Sequence, residues 1–454
     1  MTRVFGHYVP TEIMLLWMTE LTVCFLLGYA TLDAVASADV TLAGDAHGVA
    51  YLAAVLAVSA VLTSFAIGLY RPETFLRLRR LLAKTAVAGI LSFPAIWVIG
   101  RVVGIDFGLL LGHGAWLPLR ILAVWLTLIL TIRLAFSYSL RMHLFTRRVV
   151  LIGDNADVAR TANAIGQLHN GLFEVAGTLD PQPDEAAELL RQLRHRGVWG
   201  VVVTARDERG LAVQQALHRH TSGVRVWDDR GFWEGQLQRV NIDQLADSVQ
   251  MIRAAAGSGR WEARVRRISD IGLSLVLLVF TLPLMLLTAL AIRIDSKGSV
   301  FYCQERVGLH GKPFVLCKFR SMRTDAEATG PVWAAQADSR VTRIGAFIRR
   351  TRIDELPQLM NVLAGEMSFI GPRPERPHFV EKLSGVIPYY GERSHVKPGL
   401  TGWAQVNYPY GASVADARMK LSFDLYYVKR HSLFLDVIIL FATIRVILFQ
   451  EGSR

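Results

Sequence analysis

Cysteine is scarce in this sequence, with three residues in 454, and no two of them form the C-x-x-C pair of a zinc or redox site. Cys24, Cys303 and Cys317 lie far apart in the chain and are odd in number. This usage excludes a small disulfide-rich secreted scaffold. We expect all three to be buried thiols in a reducing compartment.

The first apolar run lacks the features of a secretory signal, because Glu12 and Glu20 interrupt it and no small-residue cleavage site follows. Acidic residues are also fewer than basic ones, 38 against 50, which leaves a formal net charge of +12. In a chain that is 52% hydrophobic, anionic lipid headgroups and a phosphate-rich substrate explain this charge better than nucleic acid does. We expect a lipid bilayer as a partner and no nucleic acid.

Four segments near the N-terminus are apolar enough to span a bilayer, for which a helix needs about 20 residues. They cover residues 12–32, 49–70, 85–100 and 116–140. The loop after the second segment carries five basic residues, Arg71, Arg77, Arg79, Arg80 and Lys84, whereas the loops on either side of it hold mainly aspartates. By the positive-inside rule, we predict a four-helix transmembrane bundle over residues 1–145 with both ends in the cytoplasm.

Short apolar strands alternate with helical patterns over residues 146–250, which is typical of a parallel α/β domain. We predict a small Rossmann-like domain here. Its first strand is followed by Gly153-Asp-Asn-Ala156, which lacks the G-x-G-x-x-G fingerprint that lets a pyrophosphate approach the backbone. A regulatory module, or one that forms a homodimer, is therefore favoured over dinucleotide binding.

Two later apolar stretches are predicted not to cross the membrane. Residues 271–292 carry no charge, but basic residues flank both ends and Pro283 lies in the middle, where its ring bends a helix. A spanning helix would place one of these basic clusters outside, so we predict a re-entrant helix over residues 268–293 that breaks at Pro283. Residues 433–448 include Asp436 and Arg445, which favours an amphipathic helix on the membrane surface.

The most informative stretch runs from Arg349 to Gly365 and reads RRTRIDELPQLMNVLAG. Pro357 suits the first turn of a helix and Gly365 suits its C-terminal cap. Asp354 and Glu355 then fall at the helix N-terminus, where unpaired N–H groups favour negative charge. A structural cap is the alternative, because aspartate before such a helix is often only an N-cap.

Three other segments each place a cation in rigid or glycine-bearing backbone. They are residues 318–322 (KFRSM), 371–374 (GPRP) and 397–403 (KPGLTGW). Arginine holds a phosphate through bidentate contacts, and lysine acts as a point charge. Beside an acidic pair, these segments predict an anionic substrate with a bridging divalent cation. Mg²⁺ fits, because it typically uses one or two carboxylates and leaves its other positions to phosphates and water.

With these motifs, the chain from about residue 264 onward resembles the catalytic domain of the monotopic polyprenyl-phosphate phosphoglycosyl transferases, the bacterial sugar transferase family. The matching features, in the family's order, are the proline-containing membrane helix and residues 304–308, 318–322, 354–362, 371–374 and 397–407. The N-terminal regions resemble the larger members that initiate exopolysaccharide synthesis. The resemblance implies an α-rich catalytic domain over residues 262–454, facing the cytoplasm from a bacterial inner membrane.

The resemblance also implies a two-step transfer. Asp354 attacks the β-phosphate of a UDP-sugar and releases UMP, and polyprenyl phosphate then takes the phosphosugar from the aspartate, which is ordinary covalent catalysis. Asp354 and Glu355 are expected to hold Mg²⁺, and Glu355 is alternatively a group that manages protons. The expected substrate contacts are Arg373, Lys318, Arg320, Arg349 and Lys397.

Several questions stay open at the level of the sequence. Tyr408-Pro-Tyr-Gly411 stands where many relatives have a glycine and a basic residue, so the sugar and acceptor contacts near this loop are undecided. UDP-glucose or UDP-galactose is expected from the large-member architecture alone. A membrane-bound nucleotide-sugar dehydratase would need a dinucleotide fingerprint and a Tyr-x-x-x-Lys pair, and neither is present. A non-catalytic scaffold is the other alternative, although both carboxylates of the acidic pair are retained.

Overall fold

The computed structural model describes residues 2–4, 7–38, 46–102, 116–167, 172–180, 182–205, 208–220, 223–246, 249–257, 259–324, 326, 340–409, 411 and 413–449. It divides into two units, Met1–Leu237 and Gln238–Arg454. The first unit begins with a short antiparallel pair, β1 (Thr2–Val4) and β2 (His7–Val9).

Helices make up the rest of the N-terminal region. They are α1 (Thr11–Ala38), α2 (Ala46–Ala66), α3 (Pro72–Phe75), α4 (Leu78–Val102) and α5 (Trp116–Arg141). Among the described residues, four helical stretches are long and apolar enough to cross a membrane, and three of them lie here: Thr11–Asp33, His47–Ala66 and Ala123–Arg141. The predicted span over residues 85–100 falls within α4, which is helical but is not one of the four stretches.

The predicted parallel α/β domain is confirmed. Its elements are β3 (Arg147–Ile152), α6 (Asn155–Gly166), β4 (Phe173–Leu179), α7 (Ala186–His195), β5 (Gly200–Val203), α8 (Glu208–Arg219), β6 (Arg225–Asp228) and α9 (Asp229–Phe232). The four strands are all parallel, in the order β4-β3-β5-β6. Gly153 after β3 has φ +143°, and a Cβ atom there would lie 2.3 Å from Thr204 Oγ1. This glycine therefore serves the close packing of two strand ends.

The C-terminal unit combines helices with short strands. Its elements are α10 (Val249–Ala256), α11 (Arg260–Asp295), β7 (Phe301–Val307), β8 (Pro313–Phe319), α12 (Arg343–Arg350), α13 (Gln358–Ala364), β9 (Ser368–Ile370), α14 (Pro377–Ser384), β10 (Gly399–Thr401), α15 (Trp403–Asn407), α16 (Val414–Arg430) and α17 (Leu433–Phe449). Strands β7 and β8 form an antiparallel hairpin, and β9 pairs in parallel with β10. The main core packs α10, α14, α15, α16 and α17 together.

Two of the three cysteines are joined, so the expectation of three free thiols is wrong. Cys303 and Cys317 are opposite one another in the β7–β8 hairpin, with their Cα atoms 4.2 Å apart, and form a disulfide. Cys24 is the buried free thiol. Their separation along the chain gives no sign of this pairing, but the antiparallel register brings facing side chains within reach of a disulfide.

Helix α11 is continuous over 36 residues and contains Pro283. The predicted break of the helix at this proline is therefore wrong. Both ends of α11 contact the rest of the C-terminal unit. Near its start, Arg267 donates to two carbonyl oxygens of α13, each at 2.6 Å. Near its end, Ile292 packs with Phe319 and Ile348. Between these contacts the apolar side chains stay exposed, reaching 79% at Phe280.

Helix α17 buries its two charged side chains and exposes apolar ones, which is the opposite of the amphipathic surface helix that we predicted. Asp436 is buried and accepts hydrogen bonds from Arg266 and Tyr427. Arg445 is buried and donates to the carbonyl oxygen of Val406. The exposed side chains of α17 are apolar: Val437, Ile444, Ile447 and Leu448. The two charges that suggested an amphipathic surface helix instead hold α17 to its own domain.

Candidate active site

A cavity of about 470 Å³ opens in the C-terminal unit, lined by the β7–β8 hairpin, the turn before α13 and the first half of α16. In the described part of the chain, eleven arginine and lysine residues line it, against four aspartate and glutamate residues. Six of the predicted site residues lie along its wall: Asp354, Glu355, Lys318, Arg320, Arg349 and Arg373. Such a surplus of positive charge attracts a polyanion.

The acidic pair lies in a short 3₁₀ turn, Ile353–Glu355, just before α13. Pro357 occupies the N-cap position of α13, and Gly365 ends that helix with φ +87°. No side-chain hydrogen bond caps the start of α13, so the interpretation of Asp354 as a mere N-cap is wrong. The pair precedes the helix by one turn, which leaves both carboxylates available to the cavity.

Asp354 is buried, and its Oδ1 atom has no hydrogen-bond partner. Burial, followed by repulsion from Glu355, raises the pKa of Asp354 to about 6, while Lys318, Arg352 and Arg373 act to lower it. An unpaired buried carboxylate oxygen is costly, so its presence calls for a functional explanation.

Glu355 is held by two arginines. Its Oε1 atom accepts hydrogen bonds from Arg373 at 2.7 Å and from Arg352 at 3.3 Å. Burial acts to raise the pKa of Glu355, but these two guanidinium groups outweigh it and keep that pKa well below its ordinary value. Two adjacent carboxyl groups therefore have pKa values pushed in opposite directions, as is typical of catalytic acid and base pairs.

Lys318 on β8 is a lysine whose charge lowers the pKa of both Asp354 and Glu355. Its Nζ atom lies 5.4 Å from the centre of the Tyr302 ring. Burial lowers the pKa of Lys318 to about 8, although Asp354 and Glu355 favour the charged form. The charged ammonium group is thus still the main form of Lys318 at neutral pH.

Asn361 of α13 ties β8 to the helix that follows the acidic pair. Its Nδ2 atom donates to the carbonyl oxygen of Val315 at 2.7 Å, and its Oδ1 atom accepts from the backbone of Cys317 at 3.4 Å. Both contacts lie on the strand that carries Lys318. The side chain of Asn361 therefore sets the position of Lys318 relative to Asp354.

The glycines of the 371–374 and 397–403 segments pack backbone against backbone. Gly371 donates to the carbonyl oxygen of Thr401 at 2.9 Å, and Gly399 donates to that of Pro372 at 3.0 Å. A Cβ atom on Gly371 would lie 2.2 Å from the carbonyl oxygen of Lys397. These glycines permit the close approach of two strands, which places Arg373 in the cavity wall.

Lys397 lies apart from the other predicted substrate contacts. It is not among the described residues that line the cavity, and its charged neighbours are Arg267 and Asp270 of α11. The β9–β10 pairing turns the segment toward α11 because Asp270 accepts hydrogen bonds from Ser368 and from the backbone of Phe369. The rigid backbone is as the sequence pattern predicts, and a substrate contact by Lys397 stays a prediction.

Arg320 and Arg349 occupy different parts of the wall. Arg320 donates to the carbonyl oxygens of Ser296 and Lys297, so two of its nitrogens hold the chain just after α11. Arg349 lies in the last turn of α12. Arg320 therefore lines the cavity while it also holds the chain after α11, whereas Arg349 stands in the wall as a partly buried cation.

Several cavity residues were missed because they belong to no recognised motif. Arg393 donates to Asp424 at 2.7 Å and to the carbonyl oxygen of Arg373 at 3.0 Å. Lys420 comes from the middle of α16. Of these three residues, Arg352 alone had a signal, since it stands two residues before Asp354. The others reach the cavity through tertiary packing.

The carboxylates that line the cavity determine how many protein ligands a metal ion could have there. Among the described residues, no group of three or more His, Cys, Asp and Glu side chains could enclose a metal ion. Asp354 and Glu355 offer two carboxylates, one with an unpaired oxygen. That donor set suits a cation that takes most of its ligands from substrate phosphates and water, as Mg²⁺ does.

Comparison with known proteins places residues 261–450 in the family described as bacterial sugar transferase. A UDP-N-acetylgalactosamine-undecaprenyl-phosphate N-acetylgalactosaminephosphotransferase of Aeromonas hydrophila is 47% identical over 192 residues, 42% of this chain and 45% of that protein. The undecaprenyl-phosphate glucose phosphotransferase of Komagataeibacter xylinus is 32% identical over 357 residues, 72% of this chain and 66% of that protein. The exopolysaccharide production protein PSS of Rhizobium leguminosarum bv. phaseoli is 41% identical over 189 residues, 40% of this chain and 93% of that protein. The matches thus cover less than two thirds of the first two relatives.

Proposed function

The chain belongs to the bacterial sugar transferase family, and from this premise we propose that it transfers a sugar-1-phosphate from a UDP-sugar to undecaprenyl phosphate and releases UMP. The name of the Aeromonas relative supports both this donor class and this acceptor, and that of the Komagataeibacter relative supports the acceptor. One observation carries the proposal: Asp354 presents a buried, unpaired carboxylate oxygen in a cavity whose charged lining residues are mostly cations.

The proposed reaction proceeds through a phosphosugar-aspartate. An oxygen of Asp354 attacks the β-phosphorus, the bond from that phosphorus to the bridging oxygen breaks, and UMP leaves. A phosphate oxygen of the lipid then attacks the same phosphorus, and the bond to Asp354 breaks to give a lipid diphosphosugar. Arg373 and Lys318 offset repulsion between the carboxylate and the diphosphate. Glu355 orients Arg373 through their 2.7 Å hydrogen bond.

The acidic pair fits Mg²⁺ as a cofactor of this reaction. Asp354 and Glu355 would hold the ion together with substrate phosphate oxygens, because Mg²⁺ commonly binds through one or two carboxylates. When bound, the ion would neutralise negative charge on the diphosphate. The unpaired oxygen of Asp354 is the observation that supports this assignment.

The defining experiment measures UMP with purified enzyme and no lipid. With a UDP-sugar and Mg²⁺, we expect a burst of about one UMP per active site, followed by turnover only when undecaprenyl phosphate is added. Varying both substrates should give parallel double-reciprocal lines. Intersecting lines without a lipid-free burst would contradict the covalent intermediate and favour direct transfer in one complex.

We further propose that α11 enters and leaves the bilayer on the cytoplasmic side. Its support is that both ends of the helix contact one globular unit while the apolar middle stays exposed. The donor adds a constraint, because nucleotide sugars are made in the cytoplasm, where Asp354 must then lie. Single cysteines at Gly257 and Ser299, in a background without other cysteines, test this. Labelling of only one of them by an impermeant reagent in intact cells would contradict it.

The transferred sugar and the product pathway are narrower proposals. The relatives' names differ in the sugar, glucose in one and N-acetylgalactosamine in another, so a panel of both donors with UDP-galactose identifies it. The name of the Rhizobium relative supports a role in exopolysaccharide synthesis. A homodimer through the α/β domain stays a prediction, which light scattering of the purified protein tests.

A further inference from the structure

One side of the cavity wall is formed by α15, the loop after it and the first turns of α16. Helix α15 is held firmly from behind. The indole nitrogen of Trp403 donates to the carbonyl oxygen of Gln238 at 2.9 Å, and Arg445 donates to that of Val406 at 2.9 Å. Trp403 and Val406 both lie in the main core. Because the face of α15 with Trp403 and Val406 is held in the core, the opposite face of the helix places Gln405 in the cavity wall.

The polar groups around Gln405 are already bonded within the protein. The hydroxyl of Tyr408 donates to Asp416 at 2.9 Å. The ammonium of Lys420 donates to the carbonyl oxygen of Gly411, also at 2.9 Å. The Nε2 atom of Gln405, in contrast, is buried and has no partner. Besides the charge of Lys420, this side of the cavity therefore offers an aromatic ring and the unsatisfied amide donor of Gln405.

Two more residues here are apolar, Ala417 and Leu421. A sugar carries several hydroxyl groups, each of which would lose its water without a replacement partner on such a wall. A planar base needs fewer hydrogen-bond partners than a sugar. Its ring stacks on an aromatic side chain, and one of its carbonyl oxygens accepts a hydrogen bond from a single donor. The wall thus matches a heterocyclic base better than a sugar.

We infer that Gln405 and Tyr408 form the site for the uracil base of the donor, with the Nε2 atom of Gln405 donating to a uracil carbonyl oxygen and the ring of Tyr408 against the base. This inference rests on the proposed function for the identity of the donor. It also gives a role to the loop from Tyr408 to Gly411. Its bonds to Asp416 and Lys420 keep the aromatic ring in place.

The test compares two inhibitors of the full-length enzyme. UMP carries the base and a phosphate, whereas inorganic pyrophosphate carries phosphate alone. Gln405→Met keeps the length of the side chain and removes the donor, and Gln405→Glu replaces the donor with an acceptor. We expect either change to weaken inhibition by UMP about tenfold and to raise KM for the UDP-sugar by a similar factor. Inhibition by pyrophosphate should be unchanged in Gln405→Met, which is the deciding variant, whereas Gln405→Glu adds a negative charge and should weaken it as well. Asn407→Ala, an amide of the same helix that is not among the cavity-lining residues, is the matched control.

Three results would overturn the inference. A raised KM with unchanged UMP inhibition would place the sugar, not the base, against Gln405. An equal loss for UMP and pyrophosphate would show that Gln405 only shapes the cavity. No change in either constant would remove it from binding altogether. The proposed function fails separately, if the unmodified enzyme releases no UMP from any UDP-sugar.

Discussion

The two units of this protein each bury an acid–arginine cluster, and the two clusters differ in one respect. In the N-terminal bundle, Arg133 uses all three guanidinium nitrogens. Its Nε and Nη2 atoms each donate to Glu20 at 2.8 Å. Nη2 also donates to the hydroxyl of Ser64, and Nη1 donates to that of Thr85. The hydroxyl of Tyr70 donates to Glu20 at 2.7 Å, so both carboxylate oxygens are occupied. Around the cavity, Arg373 and Arg352 hold Glu355, but Asp354 keeps one oxygen without a partner.

The difference separates structure from chemistry. A fully bonded buried ion pair has no group left for a ligand, and its main effect is to hold the helices that contribute to it in one arrangement. The cluster of Glu20 and Arg133 joins α1, α2, α4 and α5 in this way. In the cluster around Asp354, the Oδ1 atom of Asp354 has no hydrogen-bond partner and can therefore bind a substrate or a metal ion. The measurements below test that contrast in order of expected effect.

Replacing Asp354 with asparagine should lower the rate of UMP release by at least about 10³-fold, because an amide is a very poor nucleophile. The protein should remain folded and in the membrane, since the side chain keeps its size. The matched control is Asp157→Asn, which alters a surface pair with Arg160 in the α/β domain. More than about a hundredth of the normal rate in D354N would remove Asp354 from the role of nucleophile.

Replacing Glu20 with glutamine should destabilise the N-terminal bundle by about 3 kcal/mol, because Arg133 would stay buried without its counter-charge. Thermal unfolding in detergent measures this, and the rate per folded molecule should be unchanged. Glu188→Gln, which breaks an exposed pair with Arg191, should leave the unfolding midpoint almost where it was. Replacing Glu20 and Arg133 together with leucine should recover much of the loss. A double variant less stable than E20Q would contradict the structural role.

The rate of UMP release should rise with pH and level off above about pH 6, where Asp354 becomes ionised. The sign follows from the reaction, since only the carboxylate attacks and protonation removes it; below that pH the rate should fall about tenfold per unit. Arg373→Met removes a cation that lowers the pKa of Asp354, so the rising limb should move to higher pH. A limb that stays in place in R373M would show that another group controls the profile.

Asn361→Ala should reduce kcat about tenfold with little change in KM, because the carbonyl of Val315 and the N–H of Cys317 would lose their partner and β8 would shift. The pH profile of Asp354 serves as the readout of position, since moving Lys318 away raises the pKa of Asp354. Asn361→Asp keeps the acceptor for Cys317 and should be milder than the alanine variant. Equal activity of all three proteins would exclude a positioning role for Asn361.

Periodicity was sufficient for the apolar helices and for the α/β domain, but it predicted neither the β7–β8 hairpin nor the continuity of α11. The alternation of strands and helices predicted the α/β domain because a parallel sheet buries its strands in local, recognisable runs. The acidic pair and Arg373 were found because they stand in short segments with a proline or a glycine that acts locally. The same local signal could not show that the charged neighbours of Lys397 are Arg267 and Asp270 of α11, because these lie far away in the sequence.

What the sequence determined by itself is therefore the strands and helices of the α/β domain, the apolar segments and the chemical identity of Asp354 and Glu355. Local properties decide these: side-chain period, backbone restriction and charge. Only the tertiary structure decided that Cys303 meets Cys317, that Arg393 and Lys420 join the cavity, and that Asp354 has an unpaired oxygen while Glu20 has none. These are contacts between distant residues, and hydrogen-bond satisfaction depends on which groups the fold brings within about 3 Å of one another.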